Sequence, residues 1–309
     1  MPGEIGVTDV KIGTRASILA VSQAESVQSA LDQQGMTSTL VRFETKGDQI
    51  LDRALDKIGD KGLFTTELER ALLSHEIDLA VHSLKDLPTE MPPGLFIAAY
   101  ALAEDPRDVF LGRDVCLDRL SDGSVVGTSS LRRTAWLRHI CPNVTTTAVR
   151  GNLHTRISKW REHEWAGLIL AAAGVHRLGW QALITEYLDP KEWVPAPGQG
   201  ILAIQMRDDH PRCHDIKHWL NDGQQETRAI AEREVLARLG GGCQIPLGVY
   251  AELDVAKGLT HVVGKVVSPD GSRAIVTEAT DAMNQAVRVG RVVAEDLLRK
   301  GAHELIGLV

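Results

Sequence analysis

The chain has 309 residues, 43% of them hydrophobic and 24% charged, with a net charge of −7. That length supports two or three domains with ample core, and the composition is that of a soluble globular protein. The acidic total argues against general nucleic-acid affinity, no stretch is long and apolar enough to span a membrane, and the opening residues MPGEIGVTDVKIG lack the apolar core of a secretory signal, so a cytoplasmic location is expected.

VTDVKIGT reads as a strand, Ser17 to Gln34 as a helix with apolar Leu19, Val27 and Leu31 stopped by Gly35, and STLVRFET as a second strand. Phe64 to Leu73 carries a helical pattern and IDLAVHS reads as a buried strand. This alternation predicts a mainly parallel, doubly wound sheet. After the polar punctuation AEDPRD a second unit begins. SVVGTSSLRR reads as strand, turn and helix, TTTAVRGNLHTRISKW repeats that grammar, and GLILAAAG adds a buried strand. In both repeats arginines and small polar residues lead into a helix N-terminus, which favours anions. VPAPGQG reads as a hinge or crossover and ILAIQMR as a strand returning to the first sheet. A helix over Glu226 to Leu239, the strands GVYAEL, THVVGKVVS and RAIVTEA, and a helix over Asn284 to Lys300 then predict a small α+β domain with an antiparallel sheet.

Charge is unevenly spread. Gly123 to Arg161 contains no Asp or Glu, while Arg132, Arg133, Arg138, Arg150, Arg156, Lys159 and Arg161 bring +7, leaving −14 on the rest of the chain. A basic island in an acidic protein points to a focused site for an anionic ligand. Tandem arginines after GTSS, and the spacing RGNLHTR, suit bidentate recognition of carboxylates. HSLKDLP delivers His82, Ser83, Lys85 and Asp86 to a strand end, where Asp86 can act in acid–base chemistry, hold a ligand N–H, or simply form a turn. KIGDKGLF sets Lys57 and Lys61 among glycines before a helix, a weak anion-handling pattern that is no P-loop.

Cys116, Cys141, Cys213 and Cys243 show neither CxxC nor Cys/His ligand spacing, so no metal site and no disulfide is expected. In LGGGCQIPLG three glycines before Cys243 permit positive φ and close approach of a bulky partner. That cysteine reads as an attachment point or, as is the commoner case for such a residue taken alone, as small buried filler.

The stretches GTRASILA, ETKGD, KIGDKGLF, AVHSLKDLP, EDPRD, GTSSLRR, RGNLHTR, LAAAGVHRLG, PAPGQG and GGGCQIPLG together resemble, in order and over nearly the whole chain, the hydroxymethylbilane synthase (porphobilinogen deaminase) family. The resemblance implies two periplasmic-binding-protein-like α/β domains, over 1–102 with 201–221 and over 103–200, and a third α+β domain over 222–309. It implies a dipyrromethane cofactor in thioether linkage to Cys243, and Asp86 as the catalytic carboxylate. Arg15, Ser17, Ser83, Lys85, Thr128, Ser129, Ser130, Arg132, Arg133, Arg150, Gly151, Arg156 and Gln199 match cofactor- and substrate-binding positions, and Lys57, Lys61 and Phe64 a mobile loop. Two positions depart from the family pattern, Ile18 where proline is common and Asp60 where glycine is. The implied reaction joins four porphobilinogen molecules head to tail with loss of ammonia, in a monomer that binds neither nucleic acid nor membrane. Two other readings stand beside it: a non-enzymatic binder of polycarboxylates, and a cysteine hydrolase built on Cys243 with a histidine partner.

Overall fold

The computed structural model describes residues 9–45, 65–113, 115–240 and 245–306. Short apolar segments form the strands of a first sheet, buried almost throughout at its centre and partly exposed at its Ser38–Phe43 edge. It contains β1 (Val10–Arg15), β2 (Ser38–Phe43), β3 (Leu79–Ser83), β4 (Leu95–Ala101) and β10 (Leu202–Arg207), in the order β2-β1-β3-β10-β4. Successive side chains of β3 point to opposite faces. Leu79 and Val81 join the cluster containing Val27 and Leu31 of α1 (Ile18–Asp32) and Ile216 of α6 (Cys213–Leu220). Ala80 joins Leu68 and Leu72 of α2 (Thr66–Leu73).

The second sheet contains β5 (Asp108–Gly112), β6 (Val125–Gly127), β7 (Thr145–Thr147), β8 (Gly167–Ala171) and β9 (Glu186–Tyr187), in the order β7-β6-β8-β5-β9. Phe110 and Ile169 pack with Trp136 of α3 (Leu131–Ile140). Val109 and Leu170 pack on the other face with Ile157 and Trp160 of α4 (Leu153–Glu162), and α5 (Ala172–Arg177) follows β8 directly.

Both sheets are mainly parallel, as expected, with four of five strands in one direction and one reversed strand in each. β2, β1 and β3 run parallel, but β10 is antiparallel to both β3 and β4, and β5 is antiparallel to β8 and β9. The reason lies in the crossovers. β10 begins where β3 ends, with Leu202 opposite Ser83, and β5 begins where β8 ends, with Asp108 opposite Ala171. The chain passes between the sheets twice at the carboxyl ends of their parallel strands, so each arriving strand must run backwards. Two glycines of the second crossover need positive φ, Gly198 at 76° and Gly200 at 92°. A Cβ at Gly200 would also lie 2.4 Å from the Glu104 carbonyl oxygen. β4, β5 and α6 have no counterpart in the periodicity reading, because each is short and directly follows proline- or charge-rich punctuation.

The third sheet is antiparallel, built from β11 (Leu247–Asp254), β12 (Leu259–Val267) and β13 (Ala274–Ala282). One face is covered by α7 (Gly223–Arg238) and α8 (Ala286–Arg299), with α9 (Ala302–Leu305) closing its core. The other lies on the second unit, where Val263 and Val267 join Trp136, and Arg138 Nη1 and His139 Nδ1 bond the carbonyls of Pro269 and Gly271 at 2.7 and 2.8 Å. Arg138, counted in the basic island, therefore serves an internal contact.

Candidate functional site

Five chain segments converge where the crossovers leave the sheets. Arg15 ends β1. Its guanidinium lies close enough to His82 to oppose a charge there, and burial, only partly offset by the 3.0 Å bond to Gln205 Oε1, already drives that imidazole down to about 4. Ser17 caps α1 by accepting from Ala20 N–H at 3.4 Å. Ser83, at the end of β3, accepts from Gln23 Nε2 at 2.9 Å. Arg15, Gln23, His82, Ser83 and Asp86 share the wall of one small pocket. Gln23 was not among the residues expected here; its only signal is a polar side chain in line with buried Ala20, Ala24 and Val27 on α1.

Asp86 is exposed on the single helical turn Leu84–Asp86 that follows β3. Its neighbour Lys85 donates to Gln199 Oε1 at 3.2 Å. Burial brings the Lys85 ammonium down to about 8, with Asp86 drawing it up and Arg133 pushing it further down. Across the gap, burial lowers the Arg156 guanidinium to about 10, Arg133 adding to the fall, Asp86 opposing it and Arg150 contributing less. Arg156 is steadied by donating from Nε to the Gly151 carbonyl at 2.8 Å, and Gly151 takes φ 109° at the turn before α4. Asp86 thus acts on Lys85 beside it and on Arg156 of the second unit, and Arg133 and Arg150 act on Arg156 in turn.

The GTSSLRR segment is spent partly on itself. Thr128 Oγ1 accepts from Ser130 N–H at 3.3 Å, Ser129 donates to the Val149 carbonyl at 2.7 Å, and Ser130 caps α3 through Arg133 N–H at 3.4 Å. The tandem arginines do not both project freely. Arg132 Nη2 and Arg133 Nη2 each lie 2.7 Å from an oxygen of Asp108, which is 0% exposed. Trp193 Nε1 at 2.7 Å and Gln199 Nε2 at 2.8 Å complete the same carboxylate. Burial would push Asp108 up; the two guanidiniums and these hydrogen bonds overcome it and hold the carboxyl far below the usual carboxylate range. Arg132 gives Nη1 to the Val194 carbonyl at 2.9 Å and Arg133 gives Nη1 to the Ile169 carbonyl at 3.0 Å, so both are buried brackets; both also bear on Lys85, and Arg133 on Arg156. Asp108 is the last residue of AEDPRD, which read as punctuation; its signal was an acid set directly against the apolar strand that follows.

Cys243, Lys57, Lys61, Phe64 and Asp60 lie outside the described residues. Among the described residues no group of three His, Cys, Asp or Glu could hold a metal ion, and no helix is long and apolar enough to cross a membrane. The donor set fits a polycarboxylate: several guanidiniums and one ammonium lie near an exposed carboxylate able to accept N–H donors.

Cations from both α/β units beside the exposed Asp86 give this frame the donor set that suits a small, multiply anionic ligand. Residues 10–215 match the family model "Porphobilinogen deaminase, dipyromethane cofactor binding domain", and residues 226–299 match "Porphobilinogen deaminase, C-terminal domain". The porphobilinogen deaminase of Desulfitobacterium hafniense is 47% identical over 300 residues, covering 96% of each chain. That of Chromobacterium violaceum is 44% identical over 303 residues, covering 97% of each. The methionine-binding protein MetQ superposes with a TM-score of 0.45 at 14% identity over 73% of this chain and 95% of its own, too weak a likeness to carry weight. The chain belongs to the porphobilinogen deaminase family.

Proposed function

We propose that this protein is a tetrapyrrole-forming transferase that condenses four porphobilinogen molecules head to tail, releasing one ammonia at each step and hydroxymethylbilane on final hydrolysis. One observation carries the assignment of residues: among the described residues, Asp86 is the exposed acid that acts on both Lys85 and Arg156, the other acid at these cations, Asp108, being wholly buried. A dipyrromethane linked to Cys243 supplies the pyrrole carbon onto which rings are added. Arg15, Arg133, Arg150 and Arg156 bind acetate and propionate groups, and Ser17, Ser83, Thr128, Ser129, Ser130 and Gly151 shape the loops that present them. Asp86 accepts the pyrrole N–H and stabilises the positive charge that develops as ammonia leaves the substrate. Lys85 and Gln199 hold the substrate edge beside it, and Arg132 braces Arg133 through Asp108. Lys57, Lys61 and Phe64 are assigned to the mobile loop.

The domain division follows the three sheets, with 1–102 and 201–221 forming the first domain, 103–200 the second and 222–309 the third. The protein acts as a cytoplasmic monomer. Intact mass is the direct test: purified protein should carry the mass of two condensed porphobilinogen units, lost in Cys243→Ser, and Asp86→Asn should keep that adduct yet lose turnover. An unmodified thiol that does not acquire the adduct from porphobilinogen would leave the polycarboxylate binder standing; a transient acyl adduct would favour the hydrolase.

A further inference from the structure

Helix α7 reaches out of the third unit with two consecutive charged residues, and each grips a different loop of the site. Arg233 donates from Nη2 to the Pro88 carbonyl at 2.6 Å and from Nη1 to the Leu87 carbonyl at 3.2 Å, the two residues that directly follow Asp86. Glu232, 2% exposed, accepts the Gly198 N–H at 2.7 Å, the residue before Gln199, and with its other oxygen the Ala251 N–H of β11 at 2.9 Å. Successive helical side chains diverge by about 100°, so this pair can hold two separate loops only where both converge on one helix. Leu84, Leu87 and Ile201 are packed with Ala229 of the same helix, which makes the junction a buried one.

We infer that Arg233 and Glu232 are positioning residues for the reaction: by clamping residues 87–88 and 198 to α7, they set the separation between the Asp86 carboxylate and the Lys85–Gln199 pair. The bonds are made to backbone atoms at residues 87, 88 and 198. Leu87 N–H bonds Leu84 within its own turn, and Gln199 N–H bonds Ala196 within its own loop. The two loops also meet directly, through Leu84 N–H to the Ile201 carbonyl at 3.0 Å and Lys85 Nζ to Gln199 Oε1 at 3.2 Å; α7 adds bonds at residues 87, 88 and 198 that tie both loops to one helix. A site whose charges must meet a ligand within a fraction of an ångström loses about two orders of magnitude in rate from a displacement of about 1 Å, so slackening the clamp acts on turnover more than on affinity.

This inference rests on the proposed reaction for its kinetic readout, and on backbone mobility for a second, independent one. Arg233→Met keeps the stem and removes the fork, and Arg233 is half-buried. In cofactor-loaded enzyme, with kcat expressed per loaded molecule, Arg233→Met is expected to lower kcat about tenfold with KM within about twofold. Amide exchange measured by mass spectrometry is expected to quicken in 84–90 and 196–200 while the sheet strands stay unchanged. Arg233→Lys, which keeps one donor, should fall between the two in both measurements, and it decides the matter if Arg233→Met does not fold. Unchanged kcat with unchanged exchange in both loops overturns the inference, as does a loss of thermal stability with kcat per loaded molecule intact. Were the wild-type enzyme itself unable to consume porphobilinogen, the proposed reaction would fall, and the exchange measurement would still decide the clamp.

Discussion

Arg133 Nη2 lies 2.7 Å from Asp108 Oδ1, so the guanidinium that bears on Lys85 and Arg156 is itself held by a wholly buried acid. A cation fixed in this way presents its charge without the entropy loss of ordering a free side chain on binding.

Asp108→Asn should therefore destabilise the protein by about 3–5 kcal/mol, the usual cost of leaving buried charges without their partner. Urea unfolding at neutral pH measures it. The folded carboxyl titrates below its ordinary 3.8, so its contribution is fully present above that value and disappears as pH falls through the depressed one. The gap between wild type and Asp108→Asn should accordingly be constant from about pH 5 upwards and narrow only in strong acid.

Lys85 titrates near 8 because it is buried, with Asp86 and Arg133 pulling in opposite directions. Its positive charge is present below that pH and lost above it, so KM for porphobilinogen should rise as pH climbs through about 8. Lys85→Arg should remove this inflection, since arginine stays protonated. The folded value lies below the unfolded 10.5, so charged Lys85 costs stability at pH 7, and that cost should be relieved as pH rises from about 8 towards 10.5. A KM that is flat across this range would contradict the placement of Lys85 at the substrate.

Arg156→Gln should weaken substrate binding at least about tenfold, the equivalent of one lost charge-assisted hydrogen bond. It should also flatten the dependence of KM on salt. Arg161, exposed at the far end of α4, belongs to the same basic island but not to the site, and Arg161→Gln should leave both quantities unchanged. Steady-state kinetics across a salt series distinguishes them.

Gly198→Ala places a Cβ 2.8 Å from Leu84 Cγ on a backbone at φ 76°. The left-handed conformation alone costs about 1–2 kcal/mol for a residue with a side chain, and the clash must be relieved by moving either the Asp86 turn or Gln199. A lowered melting temperature together with a reduced kcat is expected; calorimetry and turnover on the same preparation show whether the two fall together.

Much of the frame was legible in advance. α1 spans Ile18–Asp32 against a reading of Ser17 to Gln34, and the three terminal strands fall where alternation put them. The mainly parallel sheets were foreseen, but the reversed strands β5 and β10 were not, because strand direction is set by where a crossover enters the sheet and not by the residues of the strand. The site shows the same division. Asp86 acts on Arg156, 70 residues later in the chain, a relation no single motif contains, and Arg132 turns inward to an acid some two dozen residues earlier.

By itself the sequence determined which chemical groups are available and the local elements that carry them. Both are written in residue type and in periodicities a few residues long, and a basic island beside one acid is visible without coordinates. Only the tertiary structure decided which of those charges remain for a ligand. Asp108 neutralises part of the island, and Glu232 and Arg233 fasten the Asp86 and Gln199 loops to one helix. These pairings join residues tens to more than a hundred positions apart, and they exist because the topology brings strand ends, crossovers and α7 to one place, where a buried charge or backbone group must find a partner.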